Sequence, residues 1–327
     1  MEELTLVTGA TGFLGSRLVE RLLRAGSRVR VLIRDPKRLQ VAEGDRDALE
    51  VLVGDITDPD SVHDAVSGVR HIYHCAAFVG FEGRTDRPLL NRVNIGGTAV
   101  VVDAALEAGV DRLVHTSSIA ALGRSDGLKE CLDESAEWTD SHLNTAYASS
   151  KYQAELEVHR AIAEGLDAVI VNPSLIMGPG RTGENTMKIA EGLRAGKIPA
   201  MPGGSTNVVD VEDVVTGHLA AMEKGLTGNR YLLTGENLAW TTIIQTLAGA
   251  LGVPAPTRTM SLRSALVLGG LSEMLAILTR RPPLVTRESA RITGHHTCYD
   301  NAKAVRELGL AFRPFSETAA RIASVFR

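Results

Sequence analysis

One stretch constrains the fold more than any other: Leu4-Thr5-Leu6-Val7-Thr8 followed by Gly9-Ala10-Thr11-Gly12-Phe13-Leu14-Gly15. The apolar, β-branched run reads as a buried strand. Beyond the glycines, Leu14, Leu18 and Leu22, with Val19 and Leu23, recur at helical spacing until Gly26 stops the helix. Glycines at such a corner permit a tight turn and let backbone N–H groups approach an anion at the helix N-terminus, where aligned peptide dipoles favour negative charge. A GxxGxxG spacing between strand and helix is the context of a dinucleotide fingerprint, with Gly9, Thr11, Gly12, Phe13, Leu14 and Gly15 as its contact residues. A glycine-rich corner without a ligand is the alternative.

Further short β-branched runs follow at Val29–Ile33, Val51–Val53, His71–His74, Arg112–Thr116 and Ala168–Val171, separated by segments long enough for crossover helices. This predicts an α/β chain built on a doubly wound parallel sheet of Rossmann type, with a smaller mixed α/β C-terminal substrate lobe. Residues 1–173 form the predicted dinucleotide-binding domain. After Pro173 the prolines and glycines multiply, so 174–204 and 226–327 are assigned to the lobe, and the strand-then-helix pattern of Asn207 to Val215 returns the chain to the first domain at about 205–225.

The end of the second strand bears on the dinucleotide. It reads Leu32-Ile33-Arg34-Asp35-Pro36-Lys37-Arg38, and guanidinium and ammonium groups at Arg34, Lys37 and Arg38 suit a ribose 2′-phosphate. NADP(H) is therefore favoured; Asp35 as acceptor of a ribose hydroxyl keeps NAD(H) open. Gly54-Asp55-Ile56 and Cys75-Ala76-Ala77 end the third and fourth strands at the edge where ligands of open α/β sheets lie. Asp55 either holds the adenine amine or caps the following turn, and the small Ala76 and Ala77 leave room for the cofactor backbone.

Tyr147-Ala148-Ser149-Ser150-Lys151 sets a phenol and an ammonium one helical turn apart. A tyrosine hydroxyl is a poor base at neutral pH, and a nearby cation stabilises its phenolate. The strand ending His115-Thr116-Ser117-Ser118 brings a hydroxyl to the same edge: Ser118 to bond a substrate oxygen or to cap the next turn, with Ser117 the alternative.

These residues, with Asn94, resemble the active-site set of extended short-chain dehydrogenases/reductases, the NAD-dependent epimerase/dehydratase superfamily. His74-Cys75-Ala76-Ala77, Asn172-Pro173-Ser174, Gly178-Pro179-Gly180, Val209-Asp210-Val211-Glu212-Asp213-Val214 and Asn301–Gly309 extend the resemblance over nearly the whole chain, nearest to the dihydroflavonol reductase, 3β-hydroxysteroid dehydrogenase and bacterial sugar-epimerase-like group. The resemblance implies that Tyr147 is general acid/base, that Lys151 lowers its pKa and binds the nicotinamide ribose, that Ser118 orients the carbonyl and that Asn94 positions a relay water. It also implies Pro173, Ser174 and Ile176 near the nicotinamide, Arg34 at the 2′-phosphate, and a homodimer through the helices around Thr98 and Lys151. Phe78, Val79, Ala120, Arg181, Thr186 and Met187 are expected to line the substrate. The reading that follows is an NADPH-dependent reductase of a ketone or aldehyde. The alternatives are a nucleotide-sugar epimerase or dehydratase with retained NAD, and a non-catalytic dinucleotide sensor.

Composition narrows the partners. The net charge of −4, with both signs interspersed, offers no field for a phosphate backbone, so nucleic acid is not expected. The apolar stretch Ala265–Leu278 falls short of a membrane span and reads as a buried or substrate-facing helix; contact with a membrane surface through its flanking arginines is the alternative. Cys75, Cys131 and Cys298 match neither a disulfide framework nor a metal site, which, with no export signal, points to the cytoplasm. His295-His296 are not expected to hold metal. Glu155, Glu157 and Glu164 read as a solvated helix face, and Trp138 and Trp240 as packing residues.

Overall fold

The computed structural model describes residues 3–41, 47–80, 86–123, 131–184, 186–279 and 285–327. Its first six strands are β1 (Leu4–Thr8), β2 (Arg28–Ile33), β3 (Leu49–Val53), β4 (His71–His74), β5 (Arg112–Thr116) and β6 (Ala168–Pro173). Six more follow: β7 (Leu175–Met177), β8 (Met201–Pro202), β9 (Ser205–Asp210), β10 (Arg230–Leu233), β11 (Glu236–Ala239) and β12 (Thr259–Met260). The helices of the first half are α1 (Phe13–Arg24), α2 (Pro59–Val66), α3 (Arg87–Leu90), α4 (Gly97–Glu107) and α5 (Ala146–Ala163). Those of the second are α6 (Met187–Arg194), α7 (Val211–Lys224), α8 (Trp240–Leu251), α9 (Leu262–Thr279), α10 (Arg287–Gly294), α11 (Ala302–Leu308) and α12 (Phe315–Ser324).

Seven strands form one sheet in the order β10-β6-β5-β4-β1-β2-β3, and every pairing in it is parallel. The order reverses between β1 and β4, which opens a crevice at their carboxyl ends, where ligands of such sheets bind. The helices cover both faces. On one, Leu14, Leu18 and Leu22 of α1 and Val211, Val214 and Val215 of α7 pack on Val29, Val31, Val114 and Val171. On the other, Val62 and Val66 of α2, Val101 and Val102 of α4 and Val158 and Ala161 of α5 pack on Leu6, Ile72 and Ile170. The continuous helical run Arg87–Glu107 is apolar and long enough to span a membrane; half of it is buried inside the fold, where it serves as a core element.

The smaller C-terminal region has its own core, in which Met187, Leu193, Val208, Ile243, Leu247, Phe315 and Ile322 meet. Its three-stranded sheet runs β11-β9-β7, and β8 pairs with β12. Two expectations are corrected here. Residues 230–233, assigned from sequence to the lobe, form β10, the outer strand of the large sheet beside β6, and α11 packs into that domain's core through Ala304 and Leu308. The cysteines are not all separate: a parallel bridge between Leu132 and Tyr299 brings Cys131 and Cys298 to a Cα–Cα distance of 4.5 Å, and they form a disulfide. At a sequence separation of 167, only the folded topology reveals the pair, and cysteine spacing therefore carries no argument for a reducing compartment.

Candidate active site

The glycine turn has the geometry that its residue types demand. Gly9 sits at φ +73°, and a Cβ there would lie 2.7 Å from the Ala76 backbone nitrogen, so β1 and the end of β4 approach as only glycine allows. A Cβ on Gly15 would come within 2.3 Å of the Gly9 carbonyl oxygen, which fixes how closely α1 descends onto the turn. Gly12 caps α1 without a side-chain hydrogen bond, and the first turn carries no acidic residue. The helix end is thus left to an anion. A cavity of about 540 Å³ opens on the outer side of this turn, lined by Thr11, Gly12, Phe13, Arg17, Gln40 and Arg181, among others. Leu14 and Ile56 turn their side chains into the core, leaving their backbones for any ligand.

At the end of β2 the predicted cations separate. Arg34 is exposed and makes no hydrogen bond or ion pair among the described residues. Arg38 pairs with Glu184 at 3.0 Å. The Asp35 carboxylate accepts the Lys37 backbone N–H at 3.0 Å, capping the short 3₁₀ turn Pro36–Arg38. Asp55 likewise accepts from the Thr57 backbone N–H and hydroxyl, at 2.9 and 3.0 Å, so it shapes the turn before α2. The Ala76 N–H donates to the Thr8 hydroxyl at 3.2 Å, and Ala77 follows it in the loop after β4.

Tyr147 and Lys151 lie on the first turns of α5, which begins at the Thr145 cap: its hydroxyl accepts the Ala148 N–H at 3.0 Å. The Tyr147 hydroxyl lies beside Ser118; burial raises its pKa and the neighbouring Ser118 hydroxyl lowers it. Ser117, the alternative, has a buried hydroxyl without a partner, so Ser118 is the serine brought to the tyrosine. The Lys151 ammonium donates to the Thr116 carbonyl at 2.7 Å, and burial brings its pKa down to about 8, with Glu155 opposing. The lysine is therefore anchored to the carboxyl end of β5. Beneath it, burial holds His74 down to about 3 and His218 to about 4, so both are neutral at neutral pH.

Asn94 lies on a π-helical turn, Asn91–Gly96, a distortion frequent at functional sites. Its side chain clamps the Phe78 backbone, accepting from N–H at 2.7 Å and donating to C=O at 3.0 Å, and donates to Ser150 at 2.9 Å. Both amide hydrogens are thereby engaged, and the residue shapes the loop after β4.

Glu155 is the residue misread from sequence. It is 2% exposed, not solvated. One turn beyond Lys151, it accepts from Asn172 Nδ2 at 2.6 Å and faces Arg230 at 3.6 Å. Asn172 also donates to the Ser118 carbonyl at 3.0 Å, so one amide links Glu155 to the serine. The i, i+4, i+8 spacing of Tyr147, Lys151 and Glu155 on one face was the available signal. Close by, the Ser174 hydroxyl just after β6 is buried without a partner among the described residues; Pro173 is in the strand and Ile176 half-buried beyond it.

The expected substrate positions do not converge. Phe78 is half-buried beside Asn94, and the next residue, Val79, is 49% exposed. Ala120 is buried in the turn capped by Ser118. Met187 is 1% exposed in the lobe core, and the buried Thr186 precedes it. Arg181 is placed elsewhere: it donates to the Arg38 carbonyl at 2.6 Å and lines the cavity beside the glycine turn.

The model of the NAD dependent epimerase/dehydratase family matches residues 5–233. The chain belongs to that family. This epimerase/dehydratase family member is 37% identical over 323 residues to a Synechocystis sp. protein provisionally named dihydroflavonol 4-reductase, covering 95% of this chain and 90% of that one. It is also 37% identical to sterol demethylase protein B of Methylococcus capsulatus, over 97% of this chain and 95% of the other. Among solved structures, the crystal structure of gox2253 superposes with a TM-score of 0.83 at 35% identity, covering 100% of this chain and 98% of that one. The family member is an NAD(P)-dependent oxidoreductase of the extended short-chain dehydrogenase/reductase type.

Proposed function

We propose that this protein reduces a ketone or aldehyde of a largely apolar molecule, using NADPH that exchanges at each turnover. The observation that carries the reading is the placing of the Tyr147 hydroxyl beside Ser118, next to the buried Lys151 and at the same sheet edge as the glycine turn. The names of the reductase and sterol-acting relatives support an apolar carbonyl substrate.

The residues fit a nicotinamide dinucleotide. The uncapped N-terminus of α1 suits its pyrophosphate, and the unpaired Arg34 suits a 2′-phosphate, Lys37 reinforcing it. The orphaned Ser174 hydroxyl offers a hydrogen bond on the nicotinamide side. When bound, the reduced cofactor supplies hydride to the carbonyl carbon. Ser118 holds the carbonyl oxygen, and Tyr147 donates its phenolic proton to that oxygen as negative charge develops. Lys151, cationic below its pKa of about 8, supports the charge left on the phenol.

The test is titration of desalted protein with NADPH and NADH, followed by turnover on apolar ketones. NADPH preference and reductase activity are expected, with Tyr147→Phe cutting kcat by about 10²–10⁴ while the NADPH Kd is little changed. Tightly retained NAD with no exchange would point to the epimerase or dehydratase reading, and full activity of the phenylalanine variant would remove the assigned proton donor.

A further inference from the structure

Helix α9 is inverted for a water-facing helix. Val267, Leu268, Leu271, Met274, Leu275 and Leu278, at spacings of one, three and four residues, occupy one face and are 40–76% exposed. The face turned to the protein carries Gly269, Ser272 and Glu273 beside the half-buried Leu262 and Leu266. A Cβ on Gly269 would lie 2.8 Å from the Arg287 backbone nitrogen, and the Ser272 hydroxyl accepts the Val285 N–H at 3.4 Å. Glu273 takes the Arg287 N–H at 2.7 Å and its guanidinium at 2.8 Å. These contacts against α10 fix the rotation of α9 and so hold its large apolar side chains outward. The sequence expectation of a buried helix is corrected accordingly.

A contiguous apolar face of this length marks an interaction surface, and its charge surroundings indicate the occupant. Residues 253–298 contain six arginines and two glutamates, no lysine and no aspartate, in a chain of net charge −4. Arg258 and Arg263, just before and at the start of α9, are exposed and meet no carboxylate among the described residues. An apolar helix face with a basic surround is the pattern of helices that lie in the interface of an anionic bilayer. The α9–α10 pair also lies against the active site: Glu288, on the first turn of α10, is beside the backbone of Ala146, the residue before Tyr147.

We infer that α9 docks this protein on an anionic phospholipid surface, its apolar face entering the headgroup boundary and the exposed Arg258 and Arg263 pairing with lipid phosphates. The surface stands independently of the proposed reaction; given that reaction, it sets the reductase where an apolar carbonyl compound is dissolved. The experiment is flotation of the full chain with vesicles of phosphatidylcholine containing phosphatidylglycerol, beside vesicles of phosphatidylcholine alone. Light scattering coupled to size exclusion, run in parallel, reports the oligomeric state. Binding to the anionic vesicles is expected, weakened by salt and by removal of phosphatidylglycerol, and lowered roughly tenfold in partition coefficient by Leu271→Glu with Leu275→Glu. Both leucines are exposed, at 55% and 60%, so the double variant keeps the fold, which its thermal melt verifies. Failure of the wild type to float, equal flotation of the double variant, or a dimer that the same substitutions split without any vesicle binding would each overturn the inference, the last assigning the face to a second copy.

Discussion

At the scale of single residues, Arg34 and Asp35 are neighbours with different fates. Asp35 spends a carboxylate oxygen on the Lys37 N–H, whereas Arg34 has no partner among the described residues. A charge-assisted contact to a phosphate is worth enough that Arg34→Ala should raise the NADPH KM by roughly tenfold or more and leave the NADH KM nearly unchanged. Parallel initial-rate measurements decide this; equal loss for both cofactors would place Arg34 away from the 2′ position. Glu155 offers a second prediction. Its charge raises the Lys151 pKa against the burial that brings it to about 8. Because the ammonium is the active form, kcat should fall as pH rises through about 8. Glu155→Gln removes the supporting charge, so the falling limb should move down by about one pH unit. A pH–kcat profile reads this directly, and Glu155→Asp should restore part of the shift. An unmoved limb would confine Glu155 to packing.

At the scale of elements, the glycine turn separates roles that one residue type can hide. Gly15→Ala forces α1 away from the Gly9 carbonyl and should cost about 1–3 kcal/mol, together with a roughly tenfold loss of NADPH affinity. At Gly249 in α8 an added Cβ would meet no atom within 4 Å, and its φ is not positive, so Gly249→Ala should instead stabilise by up to about 1 kcal/mol. Urea denaturation of the two variants checks both signs. The same turn shows why much of the fold was legible. Strands β1, β4 and β5 carry their own β-branched runs between turn residues, and Tyr147 with Lys151 announces a shared helix face by spacing alone. The residues misread are those whose environment is set by distant partners. Arg230–Leu233 is four residues long and becomes a sheet strand only by pairing with β6. Helix α9 is apolar over most of its circumference, so its period could not tell which face meets α10. Glu155 is polar on a helix whose outer face is also polar, and only Asn172 and Arg230 reveal that it points inward.

At the scale of the molecule, a buried carboxylate and a disulfide help to fasten the C-terminal third to the rest of the chain. Buried Asp210 caps α7 through the Glu212 N–H at 2.8 Å and receives Thr318 and Arg321 of α12 at 2.8 and 2.7 Å. On the other side, Cys131–Cys298 joins the segment that leads into α5 to the segment that follows α10. A cross-link across 167 residues restricts the unfolded chain far more than the folded one. Cys298→Ser should therefore lower stability by about 2–4 kcal/mol. Catalysis should suffer less, because the stretch after Cys131 has independent holds: Arg230 donates to the Glu134 carbonyl at 2.8 Å, and the Glu134 carboxylate accepts the Leu232 N–H at 2.8 Å. Denaturation midpoints with and without dithiothreitol separate the bond from the side chain. Wild type should shift down on reduction to the level of the serine variant, and the variant should be indifferent to reductant. If reduction leaves the wild-type midpoint where it was, the Leu132–Tyr299 bridge and the Glu134 contacts hold this edge without help from the disulfide, and kcat should then be indifferent to reductant as well.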